Sequence, residues 1–148
     1  MAEIDRSLIG EWGEEGTLRV EFGKIGEFAR AVKDPNPAYL DRQDRVAPPT
    51  FLMTIAHWIG DLGQTRRGVK LDYRRLLHGE QDFEYRRPLR AGEVLTFRSR
   101  TKDVFEKEGK RGGTMMLVIG ETEFRDAQGE VVAFMRNTAI ETAAAVKE

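Results

Sequence analysis

The 148-residue sequence contains no cysteine, which excludes a disulfide framework, a thiolate nucleophile and any cysteine-based metal site. Histidine is almost as scarce. His57 and His78 are the only two, so a zinc site would have to combine that pair with carboxylates. No stretch approaches the roughly 20 apolar residues of a membrane-spanning helix. The opening Met1-Ala2-Glu3-Ile4-Asp5-Arg6 lacks the apolar core of a secretory signal, so the expected location is cytoplasmic. Neither sign of charge dominates: 24 Lys and Arg face 25 Asp and Glu, a net of −1. That balance gives no electrostatic support for a nucleic-acid partner. Nucleotide fingerprints and a Ser/His/Asp order are also lacking. Gly109, Gly112 and Gly113 precede a strand pattern rather than a helix, which fits a hairpin turn and not a phosphate loop.

What is present suggests one domain over residues 1–148, long enough for its own core. Residues 1–16 are polar, with Gly10, Gly13 and Gly16 spaced through them, and predict a mobile lead-in anchored by Leu8, Ile9 and Trp12. Leu18, Val20 and Phe22 alternate and predict a short strand. Ile25, Phe28, Ala29 and Val32 recur at helical spacing, with Lys24, Glu27, Arg30 and Lys33 on the other face, so a helix should run to Asp34. Between Pro48 and Gly60 no charged residue occurs. A helix apolar nearly all round is a buried one, which predicts a central helix at about 49–61 with its prolines in the first turn.

From Leu77 onward the period changes to two. Four long strands are predicted: one carrying Gln81, Phe83 and Tyr85 on one face, then Val94 to Glu106, Thr114 to Phe124 and Val131 to Ile140. Turn residues separate them at 88–93, 108–113 and 126–129. The tail from Ala143 to Glu148 should fray. Helices followed by an antiparallel meander give an α+β class.

The chemistry concentrates in Asp34-Pro35-Asn36-Pro37-Ala38-Tyr39-Leu40-Asp41. Pro35 and Pro37 fix their own φ and bias Asp34 and Asn36 away from helix, so the stretch should be a rigid loop or turn. Asp34, Asn36 and Tyr39 supply an acceptor, a mixed donor and acceptor, and a weak acid. Alternatively, Asp34 and Asn36 serve only turn and capping hydrogen bonds.

Several segments carry a more specific signal: Val20-Glu21-Phe22-Gly23-Lys24-Ile25, Val32-Lys33-Asp34-Pro35-Asn36-Pro37, Ala47-Pro48-Pro49-Thr50-Phe51 and His78-Gly79-Glu80-Gln81-Asp82-Phe83-Glu84-Tyr85, followed by Arg87-Pro88-Leu89 and Ala91-Gly92-Glu93. This text resembles the N-terminal-domain type of MaoC-like dehydratases, which include (R)-specific enoyl-CoA hydratases and paired hydroxyacyl-carrier-protein dehydratase subunits. The resemblance implies a hot-dog fold, a curved antiparallel sheet wrapped around a central helix. It also implies syn hydration of a 2-enoyl thioester, or the reverse, by an Asp and a His in the pattern Asp-x-Asn-Pro-x-His. In that scheme a backbone amide at the start of the central helix polarises the thioester carbonyl.

This chain keeps Asp34 and Asn36 but holds Tyr39 at the histidine position. A phenol with an ordinary pKa near 10 is a poor neutral-pH base beside an imidazole near 6.5. In the family such an altered copy shapes the acyl tunnel beside a second hot-dog unit that carries Asp and His. The resemblance therefore implies a subunit of an acyl-thioester hydratase or dehydratase, with coenzyme A or acyl-carrier thioester as substrate and no further cofactor. Partnership is expected as a homodimer or as a heterodimer.

Three other readings stand beside it: a self-sufficient homodimeric hydratase, an acyl-CoA thioesterase using Asp34 or Glu80 to activate water, and a non-catalytic acyl-thioester binding protein. Candidate substrate contacts are Thr50 and Phe51 at the helix start, His57, His78 and Gln81. His57 reads as a displaced catalytic imidazole or as a buried or half-buried one bonded to a nearby carbonyl. His78 reads as a ligand contact or an edge position with a structural hydrogen bond. Gln81 reads as an inward amide partnered by the central helix or a second subunit. The groups Arg66/Arg67/Arg74/Arg75 and Arg86/Arg87/Arg90 suit coenzyme A phosphates or solvated surface.

Overall fold

The computed structural model describes residues 3–40, 43–59, 67–109 and 113–144, with residues 58 and 59 as backbone only. In chain order it contains β1 (Glu3–Ile4), β2 (Gly16–Arg19), α1 (Phe22–Ala31), α2 (Pro37–Leu40), a 3₁₀ segment (Phe51–Ile55), α3 (Ala56–Ile59), β3 (Val69–Lys70), β4 (Leu76–Tyr85), β5 (Val94–Glu108), β6 (Thr114–Arg125) and β7 (Val131–Glu141). Five strands form an antiparallel sheet in the order β2-β5-β6-β7-β4, and β1 pairs with β3 in a separate two-stranded ribbon. Among the described residues no helix is long and apolar enough to cross a membrane.

The four long strands lie where the alternating pattern predicts them. The first strand is displaced. β2 ends at Arg19 and α1 begins at Phe22, whose ring is 45% exposed instead of buried beside Leu18 and Val20. The cause is local: the Arg45 guanidinium stacks 3.8 Å from the Phe22 ring centroid and donates to the Phe22 carbonyl at 3.0 Å, so the ring has a partner outside the core. Gly26 makes room for this arginine, because a Cβ there would lie 2.7 Å from Arg45 Nη1.

Residues 3–13 are built in, contrary to a mobile lead-in. Gly10 and Gly13 donate to the Thr101 and Ser99 carbonyls of β5 at 2.7 and 2.8 Å, continuing the line of β2 along that strand. Gly16 is needed for the same approach, since a Cβ at that position would overlap the Phe97 ring. Trp12 lies between the guanidiniums of Arg98 and Arg100, 4.6 and 4.2 Å from its ring. Gly16 thus marks close contact with β5, and Gly10 marks a backbone turn at φ 87°.

The main core packs Phe51, Leu52 and Ile55 from the central segment against Leu18, Leu95, Phe97, Phe124 and Ala133. That segment is a 3₁₀ turn running into a short α-helix. It is less buried than its composition predicts, with Met53 38% exposed and His57 also exposed. A second cluster of Leu71, Val104, Val118 and Ala139 lies beneath the β1–β3 ribbon, where Ile4, Ile9 and Val69 cover it.

The opposite face of the sheet is ionic. Glu121 is 2% exposed and accepts from Arg100 Nη2 at 2.6 Å, Arg136 Nε at 2.6 Å and Lys102 Nζ at 3.1 Å. Burial pushes its carboxyl up, but the hydrogen bonds from Arg136, Arg100 and Lys102 outweigh burial and hold it at about 2 instead of 4.5. A carboxylate with a depressed folded-state pKa stabilises the fold above its unfolded pKa, and that contribution is lost as pH falls from about 4.5 toward about 2. Glu121→Gln is therefore expected to cost about 1.5–3 kcal/mol at pH 7, the range for hydrogen bonds to charged groups. Urea midpoints should show the gap to wild type shrinking at pH 3; a gap unchanged between the two pH values would mean that the charge contributes nothing.

Candidate active site

The loop after α1 is fixed by backbone first. Lys33 takes a left-handed φ of 58°, Lys33 N donates to the Arg30 carbonyl at 3.1 Å and Asp34 N to the Ala29 carbonyl at 2.9 Å. That pair of bonds is a Schellman close to the helix. Side chains take over next: Asp34 Oδ1 accepts from Asn36 N at 3.0 Å, and Asn36 Oδ1 accepts from Ala38 N at 3.0 Å. Two successive Asx turns therefore lead into the single helical turn of α2, a compact form of the expected rigid loop.

The rest of the loop is tied to the segment after β4. Ala47 N donates to the Leu89 carbonyl and Ala91 N to the Arg45 carbonyl, each at 2.8 Å. Arg45 Nη2 donates to the Leu40 carbonyl. One arginine thus joins the start of α1 to the end of α2.

Between this loop and the end of β4 lies a cavity of about 390 Å³, lined by Tyr39, Val46, Ala47 and Pro49 on one side and by Tyr85, Arg86, Arg87, Pro88 and Leu89 on the other. Tyr39 is half-buried and packs against the main core. Asp34 and Asn36 do not line the cavity. The structure therefore brings Tyr39 to the helix start but engages both amide and carboxylate neighbours in turns.

The other candidates are dispersed. Thr50 is exposed, while Phe51 is fully buried in the core and cannot touch a ligand without repacking. His57 is exposed where the short α3 follows the 3₁₀ turn, which overturns the reading of a buried or half-buried histidine. His78 is exposed on the edge strand β4. Gln81 is half-buried, and its Nε2 donates at 2.9 Å to the Arg136 carbonyl of the neighbouring β7, so its partner is the sheet and not the central helix. Arg66 lies outside the described residues. Arg86 and Arg87 do reach the cavity, although Arg87 is paired with Glu93 and Asp126 and Arg86 with Glu84.

Sequence reasoning missed Tyr85 as a site residue. Its hydroxyl donates at 2.7 Å to the Pro49 carbonyl, and burial pushes the phenol well above its ordinary pKa of 10. The phenol is a neutral clamp on the first turn of the central segment. Its alternation with Gln81 and Phe83 was the available signal, since it placed the ring inward and a buried hydroxyl needs a partner.

A curved antiparallel sheet with one central helical segment, a proline-rich loop and a cavity at the start of that segment define the hot-dog fold of MaoC-like dehydratases. Residues 7–135 match the FAS1-like dehydratase domain region, and the chain belongs to that family. A UPF0336 protein of Streptomyces coelicolor is 37% identical over 139 residues, covering 87% of this chain and 89% of the relative. Among solved structures, a MaoC-like dehydratase is 26% identical with a TM-score of 0.78, covering 93% of this chain and 43% of that one. The C-terminally truncated HadBC (3R-hydroxyacyl-ACP dehydratase) complex from Mycobacterium tuberculosis matches with a TM-score of 0.67 at 23% identity, over 95% of this chain and 94% of that one.

Proposed function

We propose that this chain is the substrate-tunnel subunit of an acyl-thioester hydratase or dehydratase that interconverts 2-enoyl and (R)-3-hydroxyacyl thioesters, with a second hot-dog subunit supplying the catalytic Asp and His. The observation that carries the reading is the pairing of Tyr39 with the cavity: the residue in the histidine position faces the space where substrate would lie, yet it is a phenol, and the Asp34 carboxylate beside it is engaged in a turn. Such a site can shape and hold an acyl thioester but has no neutral-pH base of its own. The HadBC neighbour is itself a complex of dehydratase subunits, which supports a two-subunit arrangement.

In this arrangement the chain's own residues bind and orient. Tyr39, Ala47, Pro49 and Leu89 offer an apolar wall, and Arg86 adds a guanidinium next to it. Proton transfer falls to the partner's Asp and His. The test is hydration of crotonyl-CoA and longer 2-enoyl-CoA substrates by the purified chain, with its mass determined on the same sample. No turnover is expected from the folded chain alone, and turnover is expected on adding an Asp/His-bearing hot-dog subunit. Steady hydration by a homodimer of this chain overturns the proposal.

A further inference from the structure

The ion pairs around Glu121 occupy only one end of the sheet's outer face, the face turned away from the central segment. At the other end Val104, Val118 and Ala139 point into the second core cluster, so their strand neighbours Phe105, Leu117 and Ile140 point outward. Strand register places Phe105 opposite Leu117, Leu117 opposite Ile140 and Ile140 opposite Leu77. Four apolar side chains thus form one row across β5, β6, β7 and β4, about 14 Å wide at the usual strand spacing of about 4.8 Å. Met115 and Ile119 flank Leu117 on β6. Phe105 and Leu77, at the ends of the row, are 39% and 41% exposed, and the four residues between and beside them are half-buried. Gly79 keeps the row flat, since a Cβ there would come within 2.7 Å of Ile140 Cδ1. An outward apolar row of this extent, on a face otherwise covered by ion pairs, marks a contact surface.

We infer that two copies of this chain pack through this outer face, about a two-fold axis parallel to the strands that sets Phe105 and Leu117 of one over Leu77 and Ile140 of the other. Face-to-face sheets lie about 10 Å apart with their strands within about 30° of each other, and a two-fold contact requires a surface complementary to itself. The charges further along the strands meet that requirement for one axis. Arg100, Glu121, Arg136 and Asp82 form a row across the same four strands, and Arg98, Glu123, Phe134 and Glu84 form the next. Rotation about an axis parallel to the strands reverses each row, bringing Arg100 over Asp82 and Arg98 over Glu84 at both ends. In the row nearer the apolar one Asp103 and Glu80 come over each other, but Lys102, bulged from β5 beside Asp103, is exposed next to them. An axis across the strands would instead lay β5 on β5 and β4 on β4, like charge on like. The exposed charges set the orientation, and the apolar row supplies the adhesion. No edge-strand hydrogen bond takes part, so the contact neither needs nor excludes the catalytic partner proposed above.

The test contains no substrate. Sedimentation equilibrium and native mass spectrometry compare wild type with Phe105→Lys, an outward substitution that leaves the core intact, and with Asp82→Lys, while circular dichroism confirms the fold of each. Wild type should have twice the mass of Phe105→Lys at the same concentration. Asp82→Lys, which sets a lysine over Arg100 of the other copy, should associate at least tenfold more weakly than wild type. Because the chain has no cysteine, Phe105→Cys and Leu77→Cys chains can also be mixed and treated with a short bis-maleimide that spans roughly the 10 Å between facing sheets. Cross-links should join position 105 of one copy to position 77 of the other, and not 105 to 105. Wild type with the same mass as Phe105→Lys overturns the inference, as does an Asp82→Lys chain that associates as tightly as wild type. Cross-links confined to 77 with 77 overturn it too, because they place the contact at the β4 edge instead of the face.

Discussion

Phe51→Ala in the isolated chain is expected to cost about 3–5 kcal/mol, the range for deleting a buried aromatic ring with its cavity left partly unfilled. Phe51 is fully buried and meets Phe28 edge-to-face, with ring centroids 5.8 Å apart at 80°. It joins the central segment to α1 as well as to the sheet, so its loss loosens the layer that carries the candidate site. The midpoint of thermal unfolding should fall by about 10 °C for a domain of this size. Met53→Ala two positions on is the control. Its side chain is 38% exposed, and its truncation should cost under about 1 kcal/mol. Urea denaturation of both variants decides the matter, since equal losses would mean that Met53 is covered by a second subunit in solution. The contrast also probes the 3₁₀ geometry, because an α-helical turn would distribute burial differently between 51 and 53.

The meander was legible because long, half-buried strands leave an alternation that survives in any sequence: Leu95, Phe97 and Ser99 face inward while Thr96, Arg98 and Arg100 face outward. The central segment was legible as a buried element but not as a 3₁₀ turn. Composition reports burial, whereas the hydrogen bond from Tyr85 that holds the Pro49 carbonyl at the start of the segment joins residues more than thirty positions apart. The N-terminal segment misled for a related reason. Gly16 allows close approach to β5 while Gly10 serves a positive φ, and only the facing strand reveals which use a glycine has. In the candidate site, the resemblance singled out Asp34, Asn36 and Tyr39. Their separation into two turn-formers and one cavity-lining ring followed from hydrogen bonds within the loop.

The other large effect is expected at Tyr39, where histidine should raise hydration of crotonyl-CoA by the chain alone by on the order of 10²-fold over wild type, the lower part of the range for a positioned general base. An imidazole at 39 titrates near neutral pH and would sit on a half-buried position that already faces the cavity. The turn beneath it does not depend on the phenol. Tyr39 is held through its backbone, its N donating to the Asn36 carbonyl at 3.0 Å, and α2 is capped by Asn36 Oδ1. The substitution therefore changes the chemistry of the side chain while keeping its mount. Asp34→Asn in the Tyr39→His background separates two roles for the carboxylate. An amide oxygen can still accept from Asn36 N and preserve the turn, so a full loss of the gained rate would assign Asp34 a part in proton transfer. A retained rate would leave it with the turn alone. If Tyr39→His folds as wild type and gives no gain, the cavity itself has lost the dehydratase geometry. The chain's contribution would then be confined to binding.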